Sequence, residues 1–131
     1  MSIFNRDFYP TPAPVIDMML EGLDLRGKVI LEPSAGKGDI VKALKERGAS
    51  QVLTYEKSED LAKILKGEST FMGYDFLDSG RQELSHVDYI IMNPPFSADE
   101  KHINHAWEVA PDGCRIIALC NSESIRNAYS M

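Results

Sequence analysis

A chain of 131 residues is long enough for one domain with a buried core and too short for two ordinary ones. An apolar share of 44% and a charged share of 26% exclude disordered and fibrous classes. The net charge of -6 argues against a firm hold on nucleic acid by this chain alone, because phosphate neutralisation needs clustered Lys and Arg.

Residues 1–7 lack a basic stretch followed by an apolar core, and no apolar run approaches the roughly 20 residues that span a bilayer. A membrane partner and an export signal are therefore not expected. Cys114 and Cys120 are too few for a disulfide framework or a four-ligand metal site, so buried free thiols in a reducing cytoplasm are expected.

In chain order, the Pro-punctuated Phe8-Tyr9-Pro10-Thr11-Pro12 leads into a helix predicted over 12–23, with Val15, Ile16, Met19 and Leu20 inward. From 28 onward, short Val/Ile/Leu runs alternate with segments of helical period, the pattern of strand-helix units around a parallel sheet. Strands are predicted at 28–31, 51–55, 70–74, 87–92 and 114–120. Between them, one helix carries Ile40, Val41 and Leu44 and stops at Gly48; another is capped by Ser58 and carries Leu61, Ile64 and Leu65. A further helix over 99–110 places Ile103, Ala106, Trp107 and Ala110 on one side. Residues 76–86 have no period and read as a surface connection. Residues 124–129 could begin another helix, and the domain looks incomplete at its C-terminal end. The expected fold is α/β, Rossmann-like, an open and mainly parallel sheet with helices on both faces, lacking its last strands.

Leu31-Glu32-Pro33-Ser34-Ala35-Gly36-Lys37-Gly38-Asp39 sits where the first strand turns into a helix, the place where open parallel sheets bind ligands. Gly36 and Gly38 allow a tight turn and close approach of a ligand to the backbone, although such loops also follow many strands for structural reasons alone. A phosphate-binding P-loop fails on spacing: Leu31 stands where its first Gly belongs, and Gly38 where Ser or Thr belongs. A dinucleotide fold remains open at this point, since it uses the same loop and an acid after the second strand. Glu56 is that acid, 20 residues beyond Gly36 and placed to accept from both hydroxyls of a ribose. Asp75 ends the third strand in the analogous position, where it could receive an adenine amino group while Phe76 packs on the ring; Asp78 is a rival.

The fourth strand runs into Asn93-Pro94-Pro95-Phe96. Two consecutive prolines fix the backbone, which makes sense if Asn93 and the Pro94 carbonyl must stand as rigid hydrogen-bond acceptors. An exocyclic amine on an aromatic base is a poor nucleophile because its lone pair is delocalised into the ring. Two acceptors on its N–H bonds would favour tetrahedral nitrogen and stabilise the positive charge of the transition state. Phe96 would stack on a base flipped out of its helix.

Glu32-Pro33-Ser34-Ala35-Gly36-Lys37-Gly38 together with Asn93-Pro94-Pro95-Phe96 resembles two motifs of the class I S-adenosylmethionine (AdoMet) dependent methyltransferases, in the branch that methylates adenine N6 in DNA. Phe8-Tyr9-Pro10-Thr11-Pro12 is similar to the Thr-Pro motif that precedes the AdoMet loop in those enzymes. The resemblance covers essentially the whole chain. It implies AdoMet as cofactor, with Tyr9 and Thr11 near the methionine carboxylate, and Glu32, Ser34 and Gly36 lining the cofactor. It further implies Glu56 on the ribose, Asp75 and Phe76 at the cofactor adenine, and Asn93, Pro94, Pro95 and Phe96 at the reacting base, Asn93 bordering both. The family sheet has about seven strands and a separate recognition region; five strands are read here, so a recognition domain or subunit is the expected partner for DNA. Families that methylate guanine N2 in RNA or a protein glutamine amide share the Asn-Pro-Pro motif, and a catalytically silent AdoMet-binding module is a further alternative. His102 and His105 stand a helical turn apart on a face expected to meet water, with no third ligand, so no metal is expected.

Overall fold

In the computed structural model, residues 11–36, 38–93 and 99–119 are described. The elements run α1 (Ala13–Leu20), β1 (Val29–Glu32), α2 (Asp39–Glu46), β2 (Gln51–Tyr55), α3 (Glu59–Glu68), β3 (Thr70–Gly73), a 3-10 turn (Phe76–Asp78), β4 (Tyr89–Met92), α4 (Asp99–Val109) and β5 (Arg115–Ala118). The strands form one sheet in the order β3-β2-β1-β4-β5. All four pairings are parallel, with Glu32 beside Thr54, Leu31 beside Ile90, and Ile90 beside Ile116. The chain builds outward from β1 to β3, then returns to place β4 on the other side of β1. That reversal leaves a crevice between β1 and β4 at their C-terminal ends, the place where such sheets bind ligands.

Alternation of side chains along each strand decides the layering. Ile30, Val52 and Ile91 face one side, where they pack with Ile16 and Leu20 of α1, Ile40, Val41 and Leu44 of α2, and Leu65 of α3. Leu31, Leu53, Tyr55, Ile90 and Met92 face the other, against Phe76, Leu84, Val87 and, from α4, Ala106 and Val109. Both faces are therefore buried, which explains why the central strands read as continuous apolar runs rather than alternating ones.

The caps follow the sequence. Pro12 precedes α1 with extended backbone, and Ser58 Oγ accepts from the Leu61 amide at the start of α3. At Gly38, the N-cap of α2, φ is 91°. A Cβ there would adopt a strained backbone conformation and meet Leu65 at 3.5 Å.

Several sequence expectations are corrected. Residues 76–86 are a mostly exposed connection, as expected, but one pinned to the core by Phe76 and Leu84, which are fully buried. Trp107 is 60% exposed and Ile64 53% exposed. The buried stripe of α4 runs through His102, Ile103, Ala106 and Val109, which leaves Trp107 off it; in α3 it runs through Ala62 and Leu65. Met18 faces outward from α1. His102 and His105 face inward rather than toward water: His102 is buried, and both rings pack on Phe76. Among the described residues no group of His, Cys, Asp and Glu is arranged to hold a metal, and no helix is long and apolar enough to cross a membrane. Cys114 is a free, partly buried thiol whose pKa is pushed up to about 11 by burial and then by the charge of Asp88. Cys120 lies outside the described residues.

Candidate functional site

Five segments converge on the C-terminal end of the sheet: Thr11, the end of β1 with its loop, Glu56 after β2, Asp75 after β3, and Asn93 after β4. Their placement follows from parallel strands, each of which delivers the residue after it to the same edge.

Glu32, the last residue of β1, is completely buried. Its Oε2 accepts from the Ser34 amide at 2.7 Å, while Oε1 is buried with no partner in full hydrogen-bond geometry among the described residues. Burial raises its pKa to about 8, against the backbone amides of Ser34 and Asn93, which favour the ionised form, and with a further upward push from the charge of Glu56. An unpartnered carboxylate oxygen in this position fits a cationic or N–H donor from a ligand.

Past Glu32, the loop is anchored to β2 by the Ala35 amide, which donates to the Tyr55 carbonyl at 3.1 Å. Gly36 then turns with φ 56°, and open space surrounds the position where a Cβ would stand. The Gly36 amide donates to Glu56 Oε1 at 2.8 Å. The other oxygen of Glu56 accepts from the Ser58 amide, also at 2.8 Å. One carboxylate thus ties the glycine loop to the entry of α3, and each of its oxygens keeps a lone pair for a further donor such as a ribose hydroxyl.

Asp75 Oδ1 accepts from the Leu77 amide at 3.0 Å and so caps the 3-10 turn. The stacking expected of Phe76 does not hold. Its ring is 1% exposed, with Tyr55, His102 and His105 at centroid distances of 5.6, 5.9 and 4.8 Å. Phe76 is the floor beneath this end of the sheet rather than a wall of the crevice. His105 Nε2 reaches Ser79 Oγ at 2.9 Å and the Ser79 carbonyl at 3.0 Å, and Ser79 Oγ donates to the Phe76 carbonyl at 2.6 Å, which fixes that floor.

Asn93 follows β4 directly, and its Nδ2 donates to Thr11 Oγ1 at 2.7 Å across 82 residues of chain. No sequence signal announces this contact. Tyr9, Lys37, Pro94, Pro95 and Phe96 lie outside the described residues. Of the other expected site residues, Thr11, Glu32, Ser34, Gly36, Gly38, Glu56, Asp75 and Asn93 gather at one end of the sheet.

The residues fit AdoMet on three observations: an orphaned buried oxygen on Glu32 suited to an ammonium group, open space over Gly36, and a carboxylate at Glu56 with lone pairs to spare.

No family model and no curated relative matches the sequence. Solved structures do. A putative RNA methyltransferase from Pyrococcus horikoshii is 25% identical with a TM-score of 0.69, over 90% of this chain and 64% of its own. An RNA methyltransferase from Salinibacter ruber, solved with S-adenosyl-L-homocysteine, is 23% identical with a TM-score of 0.62, over 76% of this chain and 69% of its own. An AdoMet-dependent O-methyltransferase from Thermotoga maritima is 20% identical with a TM-score of 0.67, over 92% of this chain and 49% of its own. The chain thus spans between half and somewhat over two thirds of the length of these proteins. It has the Rossmann-like fold of the AdoMet-dependent methyltransferases.

Proposed function

We propose that this chain is the catalytic core of an AdoMet-dependent amino-methyltransferase acting on adenine N6 in DNA. The observation that carries the reading is the position of Asn93. It follows β4 on one side of the crevice, while Glu32, Gly36 and Glu56 gather across from it at the ends of β1 and β2. A methyl donor on the glycine loop and an amine held by Asn93 would then meet at the switch point of the sheet.

Bound AdoMet supplies a methyl carbon on a positively charged sulfur. The chain's own residues would orient both reactants. Asn93 Oδ1 and the Pro94 carbonyl accept from the two N–H bonds of the amine, which turns its lone pair toward the methyl carbon. Transfer would form the N–C bond while the electron pair of the C–S bond stayed on sulfur, and the nitrogen would then release a proton to water. The acceptors oppose the positive charge that builds on nitrogen, so no strongly basic side chain is needed. Phe96 would stack on the base and partly offset the few kcal/mol needed to unstack it.

The Thr11-Pro12 pair and Phe96 support DNA as the acceptor. A second reading, RNA, is favoured by two similar structures, one described as an RNA methyltransferase and one as a putative RNA methyltransferase. Incubating the purified chain with methyl-labelled AdoMet and, separately, unmethylated DNA, RNA and a protein extract decides between them. Label in DNA supports the first reading and label in RNA the second. Label only in protein, or none anywhere alongside tight AdoMet binding, overturns both.

A further inference from the structure

The histidines of α4 take no part in the proposed chemistry, yet His105 is held by more than packing. Its side chain is 14% exposed and meets the Phe76 ring in an edge-on contact at 4.8 Å. Nε2 lies 2.9 Å from Ser79 Oγ and 3.0 Å from the Ser79 carbonyl oxygen. The chemistry of these partners fixes where the hydrogens are. A carbonyl oxygen only accepts. The hydroxyl of Ser79 has a single hydrogen, which its 2.6 Å bond to the Phe76 carbonyl uses. Nε2 therefore faces two acceptors, and the ring hydrogen of neutral His105 is on Nε2. The other nitrogen, Nδ1, points to Glu108 Oε2 at 3.9 Å, on a side chain open to solvent.

What His105 grips is the far end of the turn that begins at Asp75. Asp75 is the N-cap of the 3-10 turn and Ser79 its C-cap. Within it, Asp75 Oδ1 accepts from the Leu77 amide at 3.0 Å, the Asp78 amide donates to the Asp75 carbonyl at 3.1 Å, and the Ser79 amide to the Phe76 carbonyl at 2.9 Å. A 3-10 turn of three residues has poor hydrogen-bond geometry and little stability of its own. Its hold comes from Phe76, sunk in the core, and from His105, on a helix anchored there by Ala106 and Val109. With Oδ1 tied to the turn, the direction in which Asp75 offers Oδ2 is set by how the turn is seated.

We infer that His105 is a positioning residue for the cofactor, whose Nε2 hydrogen holds Ser79 and so seats the turn that aims Asp75 at the amino group of the cofactor adenine. The inference rests on the AdoMet reading, with Asp75 as acceptor of that amino group, and adds to it the residues that orient the acceptor. A merely structural role would behave differently. Loosening of the fold weakens every ligand of the crevice alike, whereas loss of aim at Asp75 weakens only a ligand that carries the amino group.

The test compares two ligands by calorimetric titration: S-adenosyl-L-homocysteine and S-inosyl-L-homocysteine, which carries an oxygen where adenine carries its amino group. The wild-type chain is expected to prefer the first on the order of tenfold or more, as a hydrogen bond to a charged acceptor implies. His105→Leu, which removes the donor, is expected to cut that preference to about twofold, mainly by weakening the adenosyl ligand. His105→Gln, whose amide nitrogen can stand near the place of Nε2, keeps most of the preference. Ser79→Ala, which leaves the carbonyl as a partner, falls between and carries the comparison if His105→Leu does not fold. Nitrogen NMR of the imidazole is expected to show the hydrogen on Nε2 in the neutral ring. Equal weakening of both ligands in the variants, or a neutral ring with its hydrogen on Nδ1, overturns the inference. A wild-type chain that binds both ligands equally well also overturns it, by separating Asp75 from the adenine, and leaves the AdoMet reading standing. If the wild-type chain binds neither, the AdoMet reading itself fails and the inference with it.

Discussion

Glu56 Oε1 accepts from the Gly36 amide at 2.8 Å, which ties the loop after the first strand to the residue that follows the second. The same carboxylate takes the Ser58 amide on its other oxygen. A single side chain therefore shapes the glycine loop and presents lone pairs toward the crevice.

This double duty predicts that Glu56→Gln weakens AdoMet binding on the order of 10- to 100-fold, the loss expected for charge-assisted hydrogen bonds. Global stability should fall as well, by about 1–3 kcal/mol, because one of the two backbone amides then faces an NH2 group instead of an acceptor. Calorimetric titration with AdoMet and urea unfolding of the same variant separate the two effects.

Glu32 gives a pH prediction. Burial lifts its pKa from an ordinary 4.5 to about 8. The folded chain therefore keeps a proton that the unfolded chain has lost across the window between those values. Stability from this group is fully present below about 4.5, falls as pH rises through the window, and levels off above about 8. Glu32→Gln cannot lose that proton, so the difference in stability between variant and wild type should grow in favour of the variant from pH 5 to pH 8, by on the order of a few kcal/mol. Urea unfolding at the two pH values measures it.

Phe76 supplies a stability prediction. Its ring fills the space between Tyr55, His102 and His105 with 1% exposure. Phe76→Ala should cost about 3–5 kcal/mol through the cavity it leaves. Trp107→Ala, on the exposed side of the same helix that carries both histidines, should cost about 0.5 kcal/mol or less. Thermal unfolding of the pair checks both the floor of the site and the corrected face of α4.

Much of this was legible in the sequence because the signals were local. The Val/Ile/Leu runs gave each of the five strands to within two residues at its ends, and Ser58 and Gly48 marked helix ends through backbone chemistry that acts within a few residues. The glycine loop and Glu56 were legible through their spacing. What escaped was nonlocal. The buried stripe of α4 differs from the expected one by a rotation of about one residue, enough to turn Trp107 outward and His102 inward. Phe76 sits in a 3-10 turn too short to show a period, so its burial had no signature. The bond between Asn93 and Thr11 depends on how the N-terminal segment lies against the end of β4, which no pattern within either segment encodes.

The central claim is that Asn93 serves the methylation of an exocyclic amine on a base. Its most direct test is mass spectrometry of nucleosides released from unmethylated DNA and RNA after incubation with AdoMet and either the wild-type chain or Asn93→Ala. The account predicts N6-methylated adenine from the wild type, reduced on the order of 100-fold or more by the substitution while AdoMet still binds. Methylation at a ring carbon or a hydroxyl, or N6-methylated adenine formed equally well by Asn93→Ala, would contradict it.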